Sequence, residues 1–170
     1  MRVIAEEVGI RKSSLFHHFS SKESLFDGVF EEILVALSGL LVDLEGEWLD
    51  QLDALGSRVV DWLGTHPHAS RLLMREIVSS GPVLEGGTAL AIHGTLEATS
   101  AFLAEGMRQG AIPTADPGHL AVSIIGLHLT WFAAAPVSAR VAGGSVFTED
   151  AVAARRAVIH VQVRRLCGVG

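Results

Sequence analysis

From Pro117 to Ala139 the chain runs through 23 residues without a single Asp, Glu, Lys or Arg. A helix of that length with no charged face has two homes, a lipid bilayer or the inside of a helical bundle. His119, Ser123, His128 and Thr130 interrupt the run, Pro136 lies within it, and Trp/Tyr and Lys/Arg anchors do not flank both ends as they would for a membrane span. The expectation is a buried helix, Gly118 to Ala135, capped by Asp116 with Pro117 at its first position. No membrane segment and no signal peptide are expected.

A core helix needs amphipathic partners, and the remaining sequence is punctuated to supply them. Arg2 to Val8 reads as a helix stopped by Gly9. Ser13 or Ser14 is expected to cap a second short helix, with Leu15, Phe16 and Phe19 as its apolar residues. Ser20 and Glu23 have the spacing of a capping box and open a third helix, in which Phe26, Val29, Ile33, Leu37 and Leu40 recur until Gly46 breaks it. Trp48, Leu52, Leu55, Val59 and Trp62 mark a fourth helix ending before Pro67. His68 to Ser80 is a fifth, with Leu72, Leu73 and Ile77 inside. Gly81, Pro82, Gly86 and Gly87 form a loop, Leu90 to Gln109 is the next helix, and Gly110 and Pro113 close it. After the uncharged helix, Gly143, Gly144 and Ser145 make the last loop. Thr148, Glu149 and Asp150 then open a final helix with Val152, Ile159, Val163 and Leu166 on one face. No alternation of strand length is present, so the fold class expected is all-α.

Charge divides the chain. Residues 1–22 carry four cationic side chains against two carboxylates, a net of +2, in a chain whose total is −6, so the rest carries −8. Both lysines, Lys12 and Lys22, fall in that segment. A basic head on an acidic body points to a polyanion met through the N-terminal end. The one cysteine, Cys167, can form neither an internal disulfide nor a cysteine metal cluster, which fits a reducing, cytoplasmic setting. The eight histidines show no H-x-x-x-H or H-E-x-x-H spacing, and no G-x-S-x-G or phosphate loop occurs. No catalytic residue, metal or cofactor is therefore expected, and the protein is not expected to be an enzyme.

The run from Ile4 to Leu25, with Gly9 at a turn, Phe16-His17-His18-Phe19 closing the short helix and Lys22 opening the next, resembles the signature of the TetR/AcrR family of transcriptional regulators. The resemblance implies a partial helix-turn-helix head in residues 1–24 and a ligand-binding and dimerisation body in residues 25–170. Lys12, Ser13, Ser14 and His17 suit base edges in a major groove. His18, Lys22 and the backbone N–H groups opening the third helix suit phosphates. Phe16 stands where the family usually has Tyr, so the phosphate contact of that hydroxyl is lost. The resemblance also implies a first helix upstream of Met1, and a chain that truly starts there is expected to bind DNA poorly. The alternative function is then a truncated, DNA-incompetent dimeric ligand-binding or interaction module.

For the body, the resemblance implies a homodimer closed by the last two helices as a four-helix bundle, with Ile125, Leu129, Phe132, Val152, Ile159, Val163 and Leu166, and the small Gly126 and Ala133, at the interface. It also implies a pocket for a small apolar or aromatic effector, walled by Trp62, Met74, Phe102, Met107, His128 and Trp131. Effector binding would shift the helix that begins near Ser21 and release a repressor from a palindromic double-stranded operator.

Overall fold

The computed structural model describes the backbone of residues 1–79 and 87–170, and the side chains of all of these except 79 and 87–91. Among the described residues there are nine helices and no strand: α1 Arg2–Val8, α2 Lys12–His18, α3 Lys22–Gly39, α4 Trp48–Thr65, α5 Ala69–Ser79, α6 Gly87–Arg108, α7 Pro117–Ala133, α8 Ala135–Ala142 and α9 Glu149–Leu166. The predicted loop residues Gly81, Pro82 and Gly86, and the predicted helix end Ser80, lie outside the described residues.

The uncharged segment folds as expected at its start and differs at its end. The Asp116 carboxylate accepts the His119 N–H at 2.8 Å and Pro117 opens the helix. The helix does not run on to Ala135. It stops at Ala133, Ala134 leaves helical geometry at φ −90° and ψ 30°, and α8 departs at 82° with Pro136 in its first turn. A ring without an N–H breaks a continuing helix and is tolerated at the start of a new one. No single described helix is long and apolar enough to cross a membrane. Instead α7 buries Ala121, Ile124, His128, Leu129 and Phe132 among α4, α5, α6 and α9.

α4 packs along α9, α3 along α6, and α5 against α7, so α7 is the spine on which both halves of the body close. Phe30, Val60, Leu63, Leu103, Phe132 and Ile159 are fully buried at their junction. Four other expectations shift. The helix after the head ends at Gly39, well before Gly46. Its buried residues are Phe30, Ile33 and Leu34, while Val29 is 36% exposed. In α4 the buried stripe runs through Trp48, Leu52, Gly56, Val60, Leu63 and Gly64, one position round from Leu55, Val59 and Trp62. Two glycines set that rotation: a Cβ built on Gly64 would lie 2.7 Å from Val152, so α9 approaches where no side chain stands. Ile77, predicted inside, is 46% exposed, and α5 turns Leu73 inward.

α4 and α9 are joined by a polar ladder that the periodicity did not reveal. Arg164 reaches Asp53 at 2.7 Å, His160 bonds Ser57 at 2.7 Å, and Arg156 reaches Asp61 at 2.5 Å. The rungs are four residues apart on both helices, one turn each, which is what antiparallel helices need to keep partners in step.

Candidate nucleic-acid interface

The head is built around two buried residues, Ala5 on α1 and Leu15 on α2. Gly9 terminates α1 in the left-handed region at φ 73°, a conformation glycine adopts without a Cβ penalty, and the Ile10 N–H closes back on the Ala5 carbonyl at 2.9 Å. The chain then reverses into α2. Its N-cap is Arg11, in extended geometry and without a side-chain cap bond, so neither Ser13 nor Ser14 caps it; both lie within the first turn. Arg11 is exposed at the leading end of this helix, a cation that pattern reading passed over because it preceded the expected cap.

At about 100° per residue Leu15 points inward and the opposite side of α2 presents Ser13 and His17, with Phe16 and Ser14 on the shoulders. All four are exposed, as are Lys12, His18 and Lys22. Phe16 is 42% exposed, a high value for an aromatic ring, and the Lys12 ammonium stands 5.4 Å from its centre. The His17 and His18 rings meet edge to face at 5.4 Å. The result is one short helix whose outer surface carries a cation, two hydroxyls, an imidazole and a partly exposed aromatic ring.

The start of α3 differs from expectation. Its N-cap is Ser21, not Ser20, and the reciprocal partner is Ser24, not Glu23: Ser24 N–H donates to Ser21 Oγ at 3.0 Å and Ser21 N–H donates to Ser24 Oγ at 3.1 Å. Glu23 is held below the usual carboxylate range by its own backbone N–H, and then by the Ser21 side chain. These N–H groups are engaged internally, and Lys22, at the first position of the helix, is exposed.

None of the six predicted pocket residues lines either of the two grooves described below. Trp62 stacks on His66 with centroids 4.1 Å apart. Phe102 stacks on Trp48 at 5.0 Å and accepts the indole N–H of Trp48 through its carbonyl at 3.1 Å. Met74 and Met107 pack against the core. His128 is buried: its Nδ1 bonds the Ile124 carbonyl at 2.8 Å, and its Nε2 lies 3.9 Å from where a Gly56 Cβ would stand. Burial pushes its pKa down to about 4. Trp131 lies under Arg155, whose guanidinium is 4.9 Å from the ring and donates to the Leu127 carbonyl at 2.7 Å. One open groove, about 410 Å³, is lined by Asp61, Gly64, Thr65, Phe147, Glu149, Val152, Ala153 and Arg156. A second of about 370 Å³ lies at Asp116, His119 and Ser123. No group of three or more metal-ligating side chains occurs among the described residues.

The predicted interface residues separate by burial. Leu129, Phe132, Ile159 and Val163 are 5% exposed or less within the single chain and form its core, so they are not available to a second copy. Ile125, Gly126, Ala133 and Val152 are half-buried, and Leu166 is 46% exposed.

Residues 1–29 match the family described as "Bacterial regulatory proteins, tetR family". The chain is 28% identical over 120 residues to the HTH-type transcriptional regulator RutR of Escherichia coli K12, and equally to that of Shigella flexneri. The matched segment covers 69% of this chain and 56% of the relative, so the chain spans little more than half the length of these regulators. Among solved structures it superposes on the TetR family transcriptional regulator PfmR from Thermus thermophilus with a TM-score of 0.70 at 20% identity, covering 96% of this chain and 86% of that one. A protein of unknown function from Rhodococcus sp. RHA1 superposes at 0.62 and 18% identity, over 95% and 82% of the two chains. These structural likenesses speak for the fold.

Proposed function

We propose that this chain, which belongs to the TetR family of bacterial regulatory proteins, acts as a DNA-binding transcriptional repressor that works as a homodimer and is released by a small effector. The observation that carries the DNA reading is the outer surface of α2, where Lys12, Ser13, Ser14, Phe16 and His17 are all exposed around a single buried Leu15. A seven-residue helix with one inward side chain contributes little to a core, and donors and small hydroxyls on a helix are the groups that read base edges in a major groove. Lys22 and Arg11 add phosphate contacts at either end.

The dimer reading rests on α7 and α9. Outside the ladder and the core stripe, α9 turns Ala154, Ala157, Val158 and Val161 to the exterior, with Val158 46% and Val161 48% exposed. On α7 the outer positions are Val122, 58% exposed, the half-buried Gly126 and the exposed Thr130. Small and β-branched residues on two adjoining helices suit close packing against the same pair of a second copy. The effector reading keeps a small apolar or aromatic ligand, for which Trp62, Met74, Phe102, Met107, His128 and Trp131 supply apolar walls once the body opens around them.

Fluorescence anisotropy against duplexes enriched from a random library tests the DNA reading. Binding should weaken linearly in log K with log salt, and Lys22→Ala should lower that slope by about 1, as loss of one phosphate contact does. His17→Ala should flatten discrimination between enriched and random duplexes. Absent or salt-insensitive binding would overturn the reading in favour of a dimeric interaction module.

A further inference from the structure

α3 joins the head to the body, and its first turns are gripped from both sides. On the head side Phe19 lies against Gly28, so closely that a Cβ there would sit 3.0 Å from the ring edge. On the body side Arg75 of α5 places its guanidinium carbon 5.4 Å from the centre of the Phe26 ring, and that ring packs at 4.7 Å on the fully buried Phe30. Phe26 and Gly28 lie within one turn of each other, so the two grips act on the same piece of helix. The other end of α3 is held in a different way: Arg58 of α4 donates to the carbonyls of Leu40, Val42 and Asp43 at 3.2, 2.7 and 3.0 Å. An 18-residue helix is roughly 27 Å long, so a small angle about the Arg58 end becomes a large displacement where the head is attached.

We propose that Arg75 is a positioning residue for the head: its cation on the Phe26 ring fixes the first turn of α3 against α5, and the Phe19–Gly28 contact hands that orientation to α1 and α2. Arg75 is exposed, so it is not needed to fill the core, and the contact demands a cation over a ring and not simple bulk. The consequence for DNA rests on the function proposed above; the geometry of the joint does not.

Hydrogen exchange followed by mass spectrometry, on the chain without DNA, tests it. In Arg75→Ala the amides of α1, α2 and the first turn of α3 should exchange roughly two- to five-fold faster, the size of an exposed cation–π contact. Exchange in α4 and α9 should stay unchanged, and Arg75→Lys should restore most of the head protection. Unchanged exchange in the head, acceleration spread equally over α4 and α9, or failure of lysine to restore protection would overturn it. Duplex affinity measured on the same variants separates the two readings: a wild-type chain that binds no duplex defeats the proposed function, while the exchange pattern still decides the role of Arg75.

Discussion

The His128 imidazole is 6% exposed, and burial, aided by the neighbouring Arg155 charge and opposed by the Ile124 carbonyl, lowers its pKa from 6.5 to about 4. Arg155 faces it from α9, and the Gly56 backbone and His160 lie on the α4 and α9 side. Between those two pKa values the unfolded chain takes up a proton that the folded chain refuses, so stability falls as pH drops through 6.5 and levels off below 4. The full loss is about 3 kcal/mol, and at pH 5 about 2 kcal/mol of it is already gone. For a chain of this size that is about 4–8 °C in Tm. Thermal or urea unfolding of wild type and His128→Gln at pH 7 and pH 5 isolates the effect, because the other seven histidines are present in both proteins. Wild type should lose about 2 kcal/mol more than the variant between the two pH values. Parallel losses would show that the ring is already protonated, or already solvated, in the folded state, and would refute the reasoning.

Three further outcomes follow from the packing. Val158→Glu, on the outer stripe of α9, should convert the proposed dimer to monomer in light scattering while leaving the melting of the single chain within about 0.5 kcal/mol, as surface changes usually do. Gly106→Ala should destabilise by about 1–3 kcal/mol in urea unfolding, because its Cβ would meet the Trp48 ring at 2.3 Å. Adding Trp48→Leu should then cost less than it does in the wild type, since the two changes share one contact. In the α4–α9 ladder, a double-mutant cycle on Asp53 and Arg164 should give no more than about 1 kcal/mol, because both side chains keep a quarter or more of their exposure.

Eight of the nine described helices, and several of their ends, were legible because capping and termination are local. Asp116, Thr148 and Gly9 act within four residues of themselves, and the structure uses each where the pattern put it. The α7–α8 break was hidden because its agent, Pro136, lies just beyond the last turn it ends and inside the first turn of the next helix. On α2 the reading was only partly legible: of the expected apolar residues Leu15, Phe16 and Phe19, seven residues leave room for one inward side chain, and the structure buries Leu15, half-buries Phe19 and leaves Phe16 exposed. The body was not legible, because a periodic apolar residue has the same signature whether it faces core, partner or ligand. Leu129, Phe132, Ile159 and Val163 belong to the core on which α4 closes. That could have been suspected only from Gly56 and Gly64, whose missing side chains mark where another helix comes close.

The polar ladder explains why an outer face of α9 remains at all. A helix that met α4 only through apolar residues would need a wide stripe to hold its rotation, and that stripe would consume the valines and alanines now outside. Here Arg156, His160 and Arg164 fix the rotation through directional bonds to Asp61, Ser57 and Asp53. The core contact shrinks to Arg155, Ile159 and Val163 with half-buried Val152 at its end. The outer side, Ala154, Ala157, Val158 and Val161, is thereby left apolar and uncommitted. If the ladder sets this division, Ser57→Ala with Asp61→Asn should leave the chain folded and change how α9 packs in the proposed dimer. Light scattering would detect that as a weaker or polydisperse dimer, and an unaltered dimer would show that the apolar stripe alone holds α9 in place.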